Sequence, residues 1–237
     1  MARILPIKRP LGARPEAGAP SLDRRIARSR KAVGSTLMEL LGEGRPFDEI
    51  TVSEVAARAG LTRKTFYAHF GSVESIVHHL ATDLFASTLS GIRENAFRLP
   101  LSSSGLVLAI FTELQRNIDE LAPLTTLCPS RLLLEPARDA VETVMFPRVV
   151  AANDLGPIRD FDRHYLTHLT SSSIYGTLTA WAARGFEDRP EDIAAFVIEM
   201  MGPIADRIFA AARPYCPGTT SAEPATTDPV TFEPHKK

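Results

Sequence analysis

Apolar residues recur every three to four positions along most of the chain, which is the spacing of amphipathic α-helices. In residues 24–41 this apolar face is formed by Ile26, Val33, Leu37, Leu40 and Leu41. The same spacing continues near 73–98, 104–121, 131–152, 161–184 and 190–212, with breaks at Pro100, Pro123, Pro129 and Gly156-Pro157. Alternation with period two is scarce, so the sequence predicts an all-α fold.

Residues 51–70, TVSEVAARAGLTRKTFYAHF, contain start and stop signals for two short helices. Thr51 and Glu54 have the spacing of a capping box, which predicts a helix start. Gly60 suits the left-handed conformation that ends a helix, and the Thr62 hydroxyl can cap the helix that follows. The segment therefore predicts a helix-turn-helix, a unit that lays its second helix in the major groove of DNA.

The second helix of this unit has one apolar and one polar face. Phe66 and Phe70, four positions apart, are predicted to pack into a small core with the upstream helix. The opposite face carries cationic, hydroxyl and aromatic side chains: Arg63, Lys64, Tyr67 and His69. A plain three-helix core with a solvated basic face is the alternative, and the chemistry of this face favours DNA binding over it.

Residues 28–76 resemble the N-terminal DNA-binding domain of the TetR family of bacterial transcriptional regulators. The resemblance rests on F-x-x-I-T-V-S-E-V-A-A-R-A-G-L-T at residues 47–62 and T-F-Y-A-H-F at residues 65–70. Residues 175–194 also resemble the last two helices of a common TetR-type C-terminal domain, with Trp181 and the R-G-F turn as the recognisable points. The resemblance implies about nine helices, a homodimer, and a C-terminal domain that senses a small molecule. One position departs from the family: Val73 stands where a phosphate-contacting lysine is usual.

Roles in DNA binding follow from this resemblance together with side-chain chemistry. The hydroxyls of Thr62, Thr65 and Tyr67 are suited to phosphate oxygens. Arg63 and Lys64 are the expected base readers, because either can donate to guanine O6 and N7. The predicted DNA-binding residues are Thr51, Thr62, Arg63, Lys64, Thr65, Tyr67 and His69, of which His69 contacts phosphate or serves the packing.

Charge is distributed unevenly along a chain whose net charge is only −1. Residues 1–71 hold 13 Lys and Arg against 7 Asp and Glu, whereas the remainder holds 14 against 21. A basic N-terminal part followed by an acidic remainder fits a protein in which one domain binds DNA phosphates.

Four regions are expected along the chain: a disordered basic arm at 1–21, the DNA-binding domain at 22–71, a helical effector-binding and dimerisation domain at 72–213, and a disordered tail at 214–237.

The last two predicted helices favour dimer formation. The final helix is apolar on more than one side, and small residues on the preceding helix allow close approach of a partner helix. The residues predicted at the dimer interface are Ser172, Gly176, Val197, Met201, Ile204 and Ile208.

No polar constellation in the C-terminal domain identifies a ligand class. Large apolar and aromatic residues of its helices are candidates for an effector pocket, although each is equally suited to plain core. The candidates are Phe85, Leu89, Phe111, Leu114, Met145, Phe146, Tyr165 and Tyr175. The resemblance implies a homodimeric repressor that binds a palindromic operator and is released by a small molecule; a ligand-independent or activating DNA binder is the alternative.

An enzyme or metal sensor is the more distant alternative. Asp160, His164 and His168 are four positions apart and share a helix face, but they do not form a complete ligand set. The sequence contains no H-E-x-x-H, G-x-S-x-G or phosphate-binding glycine loop. We therefore expect no catalysis, no cofactor and no bound metal. Since no apolar run has the length of a signal peptide or a membrane span, a cytoplasmic protein without membrane contact is expected.

Overall fold

The computed structural model describes residues 20–156, 158 and 160–211, and these form helices and loops without a β-strand. The all-α prediction is thus confirmed, and nine α-helices are present in this part of the chain when an interrupted seventh helix is counted once. They are α1 (Pro20–Gly42), α2 (Val52–Arg58), α3 (Arg63–His69), α4 (Val73–Gly91), α5 (Leu106–Arg116), α6 (Ile118–Leu127), α7 (Arg131–Ala140, continuing through Val141–Met145 into Phe146–Asn153), α8 (Asp160–Ala183) and α9 (Pro190–Ala211). Short 3-10 turns lie at Phe47–Glu49 and Glu94–Phe97.

Hydroxyl side chains begin each of the three helices that follow α1. Thr51 Oγ1 accepts from the Glu54 amide at 3.3 Å, and Thr62 Oγ1 accepts from the Thr65 amide at 3.2 Å. Ser72 caps α4 in the same way. Gly60 has φ +68°, as the predicted turn requires. The capping box forms only in part, because the Glu54 carboxylate accepts from Arg45 at 3.1 Å instead.

The N-terminal helices bury a common apolar core. Phe66 of α3 is fully buried beside Phe70, with ring centroids 5.4 Å apart. Both pack with α1 and with the first turns of α4, whose Ile76 and Val77 are also buried. Further along, α4 buries Phe85 and Leu89 among the C-terminal helices. One helix therefore contributes to both parts of the core.

The middle of the chain differs from the sequence prediction in two places. A single helix was expected near 104–121, but the Asn117 side chain bonds the Glu113 carbonyl at 2.8 Å and the chain turns there. A new helix, α6, then runs through Pro123, which was wrongly expected to break it. The predicted helix at 131–152 is present but contains a π turn at Val141–Met145. Pro147 follows this turn and lacks the amide that an α-helix needs, which accounts for the irregularity.

An arginine on α7 fixes the end of α4. The Arg148 guanidinium donates to the carbonyl oxygens of Leu89 and Ile92, pairs with Glu94 at 2.6 Å, and lies 4.0 Å from the centre of the Phe97 ring. A cation at a helix C-terminus satisfies carbonyl groups that have no partner inside the helix. The far end of α4 is therefore tied to α7.

The predicted hairpin of the last two helices is confirmed. Trp181 is 2% exposed and its indole N–H donates to the Asp188 carbonyl at 3.0 Å. Its ring packs edge-on against Phe111 and Phe186, with centroids 6.0 and 5.2 Å away. Gly185, with φ +67°, ends α8, and Pro190 opens α9.

The domain boundaries remain predictions. Helix α1 begins at Pro20, so the last two residues of the expected disordered arm are helical. The rest of that arm and the tail at 214–237 lie outside the described residues. Over the part that the structure describes, no helix is both long and apolar enough to cross a membrane.

Candidate nucleic-acid interface

Helix α3 presents its polar face outward, as predicted. Thr62, Arg63 and Lys64 are exposed, and Tyr67 is 57% exposed although its ring meets Phe66 edge-on at 6.0 Å. Phe66 faces the opposite way, into the core. Seven residues form only two turns, so the buried aromatic residues hold the orientation of this face.

The two cations at the start of α3 keep their charge available. Within the described residues, neither the Arg63 guanidinium nor the Lys64 ammonium forms an ion pair, whereas neighbouring arginines are paired. Arg58 donates to Glu43 at 2.7 Å and lies 3.8 Å from Glu54. The hydrogen bond from Arg58 lowers the pKa of the exposed Glu43 carboxyl and correspondingly raises the pKa of Arg58. Arg63 and Lys64 are thus the cations of α3 that a phosphate or a base can engage.

The hydroxyls predicted to bind phosphate also serve as helix caps. Thr62 Oγ1 accepts from the Thr65 amide and lies 2.9 Å from Thr65 Oγ1. One hydroxyl hydrogen of this pair is used between the two side chains, which leaves the other to donate outward. Thr51 is exposed and uses its oxygen as an acceptor, so its hydrogen is also available.

His69 and Val73 occupy less exposed positions beside this face. His69, near the end of α3, is half-buried, which is compatible with either of its expected roles. Val73 is 7% exposed and packs in the core at the start of α4. A lysine there would extend from a buried backbone position to reach phosphate, so this chain has a core contact where the family usually has a cation.

The candidates for the effector pocket separate into several places. Phe85, Leu89, Leu114 and Tyr175 line one cavity between α4, α5, α7 and α8, which we call the inner cavity. Met145 lines a second one between α5, α8 and α9, here called the outer cavity.

Three candidates line neither cavity. Phe111 is fully buried and packs against Trp181, so it has no surface that a ligand could contact. Phe146 lies beside a separate surface groove with Leu155 and Ile158. Tyr165 is 54% exposed, and its ring contacts that of Phe161 at a tilt of 50°, with centroids 4.7 Å apart. Helical spacing alone did not separate these environments.

Sequence reasoning missed the residues that connect and polarise the cavities. Ile110 of α5 and Ile174 of α8 line both cavities. Thr88 and Ser171 are buried hydroxyl residues on the wall of the inner cavity. Their signal in the sequence is a polar residue on an otherwise apolar helix face, as Thr88 is between Leu84 and Leu89.

The predicted dimer residues also differ in exposure. Ser172, Gly176 and Ile204 are exposed, whereas Val197 is 7% exposed in the chain's own core and Met201 lines the outer cavity. Ile208 falls within α9, but its side chain is outside the described part of the structure. Large apolar residues that face solvent on α8 and α9 form instead what we call the outer apolar stripe: Phe161, Tyr165, Leu169, Phe196, Met200 and Ile204.

The geometry around His164 and His168 does not form a metal centre. The two rings are tilted at 53° to each other with centroids 4.6 Å apart, and Asp160 pairs with Arg163 at 3.2 Å. Among the residues described, no group of three or more His, Cys, Asp or Glu side chains is arranged to hold a metal ion.

The N-terminal part of the chain is similar in sequence to known bacterial regulators. Residues 37–80 match the family model of bacterial regulatory proteins of the tetR family. An uncharacterized HTH-type transcriptional regulator, YxbF, from Bacillus subtilis (strain 168) is 30% identical over 56 residues. That match covers 24% of this chain and 15% of the relative's length.

The match to solved structures is longer. The crystal structure of a TetR transcriptional regulator from Streptococcus agalactiae 2603V has 25% sequence identity and a TM-score of 0.53. The match covers 77% of this chain and 98% of the other. Residues 37–80 thus carry the N-terminal helix-turn-helix of the tetR family, and the helical fold of the described residues is similar to that of a TetR transcriptional regulator.

Proposed function

We propose that the protein is a homodimeric repressor that binds a palindromic operator through α2 and α3 and is released by a small molecule bound among its C-terminal helices. The observation that carries DNA binding is the outward face of α3, where Arg63 and Lys64 are exposed and lack ion-pair partners within the described residues. Arg63 and Lys64 read base edges, and Thr51, Thr62, Thr65 and Tyr67 contact phosphates, with His69 at the margin.

The outer apolar stripe supports the homodimer. Its six side chains are between 48% and 67% exposed and recur every four residues on α8 and on α9. Contiguous exposed apolar surface is unusual on a monomer, and a second copy related by a two-fold axis would bury it against itself. Such a dimer presents two α3 helices to half-sites about one helical turn of DNA apart.

The path from effector to operator runs through α4. The N-terminal end of this helix packs against the DNA-binding domain, and Phe85 and Leu89 further along it line the inner cavity. Arg148 holds its C-terminal end. A ligand that binds more tightly to one orientation of α4 than to another changes the distance between the two DNA-binding domains of the dimer.

Binding-site selection with the purified full-length chain tests this proposal. A palindromic consensus bound by two chains is expected, and a metabolite panel added to the selected site identifies compounds that lower its affinity. An asymmetric site bound by one chain would contradict the dimer. A palindrome that no compound releases would favour the alternative, a ligand-independent or activating DNA-binding regulator.

A further inference from the structure

The two cavities of the C-terminal helices restrict which ligands they can accept. The outer cavity, of about 100 Å³, is lined mainly by aliphatic side chains with Ser102, Thr170 and Ser173 as its polar members. The inner cavity is smaller, about 30 Å³. No charged side chain is found in either lining over the described part of the chain. An ionised ligand would therefore lose its hydration without gaining a counter-charge, which strongly disfavours it.

One residue in the wall of the inner cavity has a side-chain hydroxyl without a partner. Thr88 is 3% exposed, and its Oγ1 makes no hydrogen bond with any described residue. Several other threonines inside helices bond the carbonyl four residues earlier, as Thr82 does with His78 at 2.7 Å and Thr112 with Leu108 at 2.7 Å. Buried hydroxyls are almost always hydrogen-bonded, and each exception calls for an explanation. The neighbouring hydroxyls are already engaged, since Ser171 Oγ donates to the His168 carbonyl and the Tyr175 hydroxyl donates to the Ser130 carbonyl.

The cavities adjoin at Ile110 and Ile174, which line both. The π turn of α7 runs along them too, with Val141 on the inner and Met145 on the outer cavity. Single π turns in helices occur frequently at functional sites. These two aliphatic side chains form the boundary between the cavities, so a ligand that occupies both must move them aside.

We propose that this chain binds an uncharged, mainly apolar molecule whose single hydrogen-bonding group pairs with the Thr88 hydroxyl while its apolar body fills the outer cavity. This inference rests on the proposed function in taking the molecule as the effector. Thr88 lies on α4, so the contact is made directly on the helix that enters the DNA-binding head.

Three probes of the same ring system test this ligand class: 2-naphthol, 2-methylnaphthalene and 2-naphthoate. They share a shape but carry a hydroxyl, a methyl and a carboxylate, and their binding to the full-length chain is measured by calorimetry and by the shift in Tm at neutral pH. We expect the naphthol to bind more tightly than the methyl compound, and the carboxylate to bind least. A carboxylate that binds best, or no Tm shift with any probe at its solubility limit, would overturn the proposal.

Variants of two threonines isolate the Thr88 contact. Thr88→Val keeps the side-chain shape and should weaken naphthol binding about fivefold to tenfold while leaving the methyl compound unaffected. Thr88→Ser should retain the preference for naphthol. The matched control is Thr167→Val, because Thr167 is equally buried and equally unpartnered but lies outside both cavities. Equal losses in Thr88→Val and Thr167→Val would refute the assignment to Thr88.

A parallel measurement of operator affinity separates the two proposals. If naphthol binds with the expected dependence on Thr88 but leaves operator affinity unchanged, the ligand class stands and effector release is wrong. If the operator is bound but no probe binds, the ligand class fails and the DNA-binding function is unaffected.

Discussion

At the scale of single residues, two arginines five positions apart differ in what surrounds them. Arg58 at the end of α2 is held by Glu43 and Glu54, which offset its charge. Arg63 at the start of α3 is exposed and has no ion pair in the described structure. A cation already satisfied by carboxylates gains less from a phosphate or a guanine than one that is only hydrated. The local ion pairs therefore concentrate the available charge on α3.

Alanine substitution of Arg63 or Lys64 should weaken operator binding and relax its sequence preference. Each lost base contact is expected to cost about 1–3 kcal/mol, because a bidentate pair to a base edge discriminates by that amount. Fluorescence anisotropy with the selected operator and with single-base variants measures both effects. Arg116→Ala, which removes an arginine paired with Glu113 on α5, is the control for net charge. A loss of equal size in this control would mean that total charge, not α3, governs affinity.

The thiol of Cys128 should be inert in the folded protein. Burial raises its pKa to about 12 from an ordinary 9.0, and the thiolate is the reactive species. Alkylation near pH 8 should therefore be roughly a thousandfold slower than in the urea-unfolded chain. Mass spectrometry of a Cys216→Ser variant, in which Cys128 is the remaining cysteine, follows this rate. Rapid labelling of the folded chain would show instead that the thiol is accessible.

The same shift has a consequence for stability at high pH. The folded-state pKa of Cys128 is raised, so the unfolded chain releases this proton first as pH increases above 9.0. Its contribution to stability is complete below pH 9.0 and declines as pH rises toward 12. Comparing urea unfolding of the Cys128→Ala variant with that of the unsubstituted chain across this range should reveal a pH dependence that the variant lacks.

At the scale of helices, the sequence predicted most reliably where the signals are local. The starts of α2, α3 and α4 depend on a hydroxyl and an amide three residues apart, and those at Thr51 and Thr62 are as predicted. The division of α5 from α6 and the π turn of α7 were missed. They depend on the Asn117 side chain turning back onto its helix and on packing that tolerates prolines at 123 and 147. These features cannot be predicted from the spacing of apolar residues, because tertiary contacts compensate for the backbone hydrogen bonds that proline removes.

The turn between α2 and α3 should be sensitive to glycine replacement for backbone reasons alone. Gly60 has φ +68°, and a Cβ there would meet no atom within 4 Å. Gly60→Ala should therefore destabilise the protein by about 1–2 kcal/mol through strain rather than collision. Gly42→Ala is the matched control: its Cβ also meets nothing within 4 Å, but its φ is ordinary. Urea unfolding should leave this control unchanged or about 1 kcal/mol more stable; equal losses would contradict the strain argument.

At the scale of the whole molecule, α8 and α9 illustrate what periodicity cannot resolve. The last helix is apolar on two sides, and the sequence alone does not say which side faces the chain's own core. The structure turns Val197 inward and Phe196 and Met200 outward. The dimer residues named from the sequence stay a prediction; of these, Val197 is buried within the chain, whereas Ser172, Gly176 and Ile204 are exposed. The exposed stripe, with three large apolar residues on each of the two helices, is therefore our candidate surface for a partner chain.

A charge on the outer apolar stripe should therefore dissociate the proposed dimer. Phe196→Glu places a carboxylate at a position that is 62% exposed in one chain and would be buried between two. Light scattering should then give a mass near 25.9 kDa instead of twice that value. Ala195→Glu is the matched control, because it adds the same charge one position away, on the side of α9 that already carries exposed Glu199.

The same pair of variants links assembly to DNA binding. A monomer binds one half-site at a time. It therefore loses the increase in operator affinity that comes from binding both half-sites at once, which is on the order of a hundredfold or more. Phe196→Glu should thus bind the full palindrome about as weakly as a single half-site, although its α3 is unchanged. Ala195→Glu should keep the affinity of the unsubstituted chain. If Phe196→Glu remains a dimer with full operator affinity, the partner chain binds elsewhere, and the exposed stripe needs another occupant.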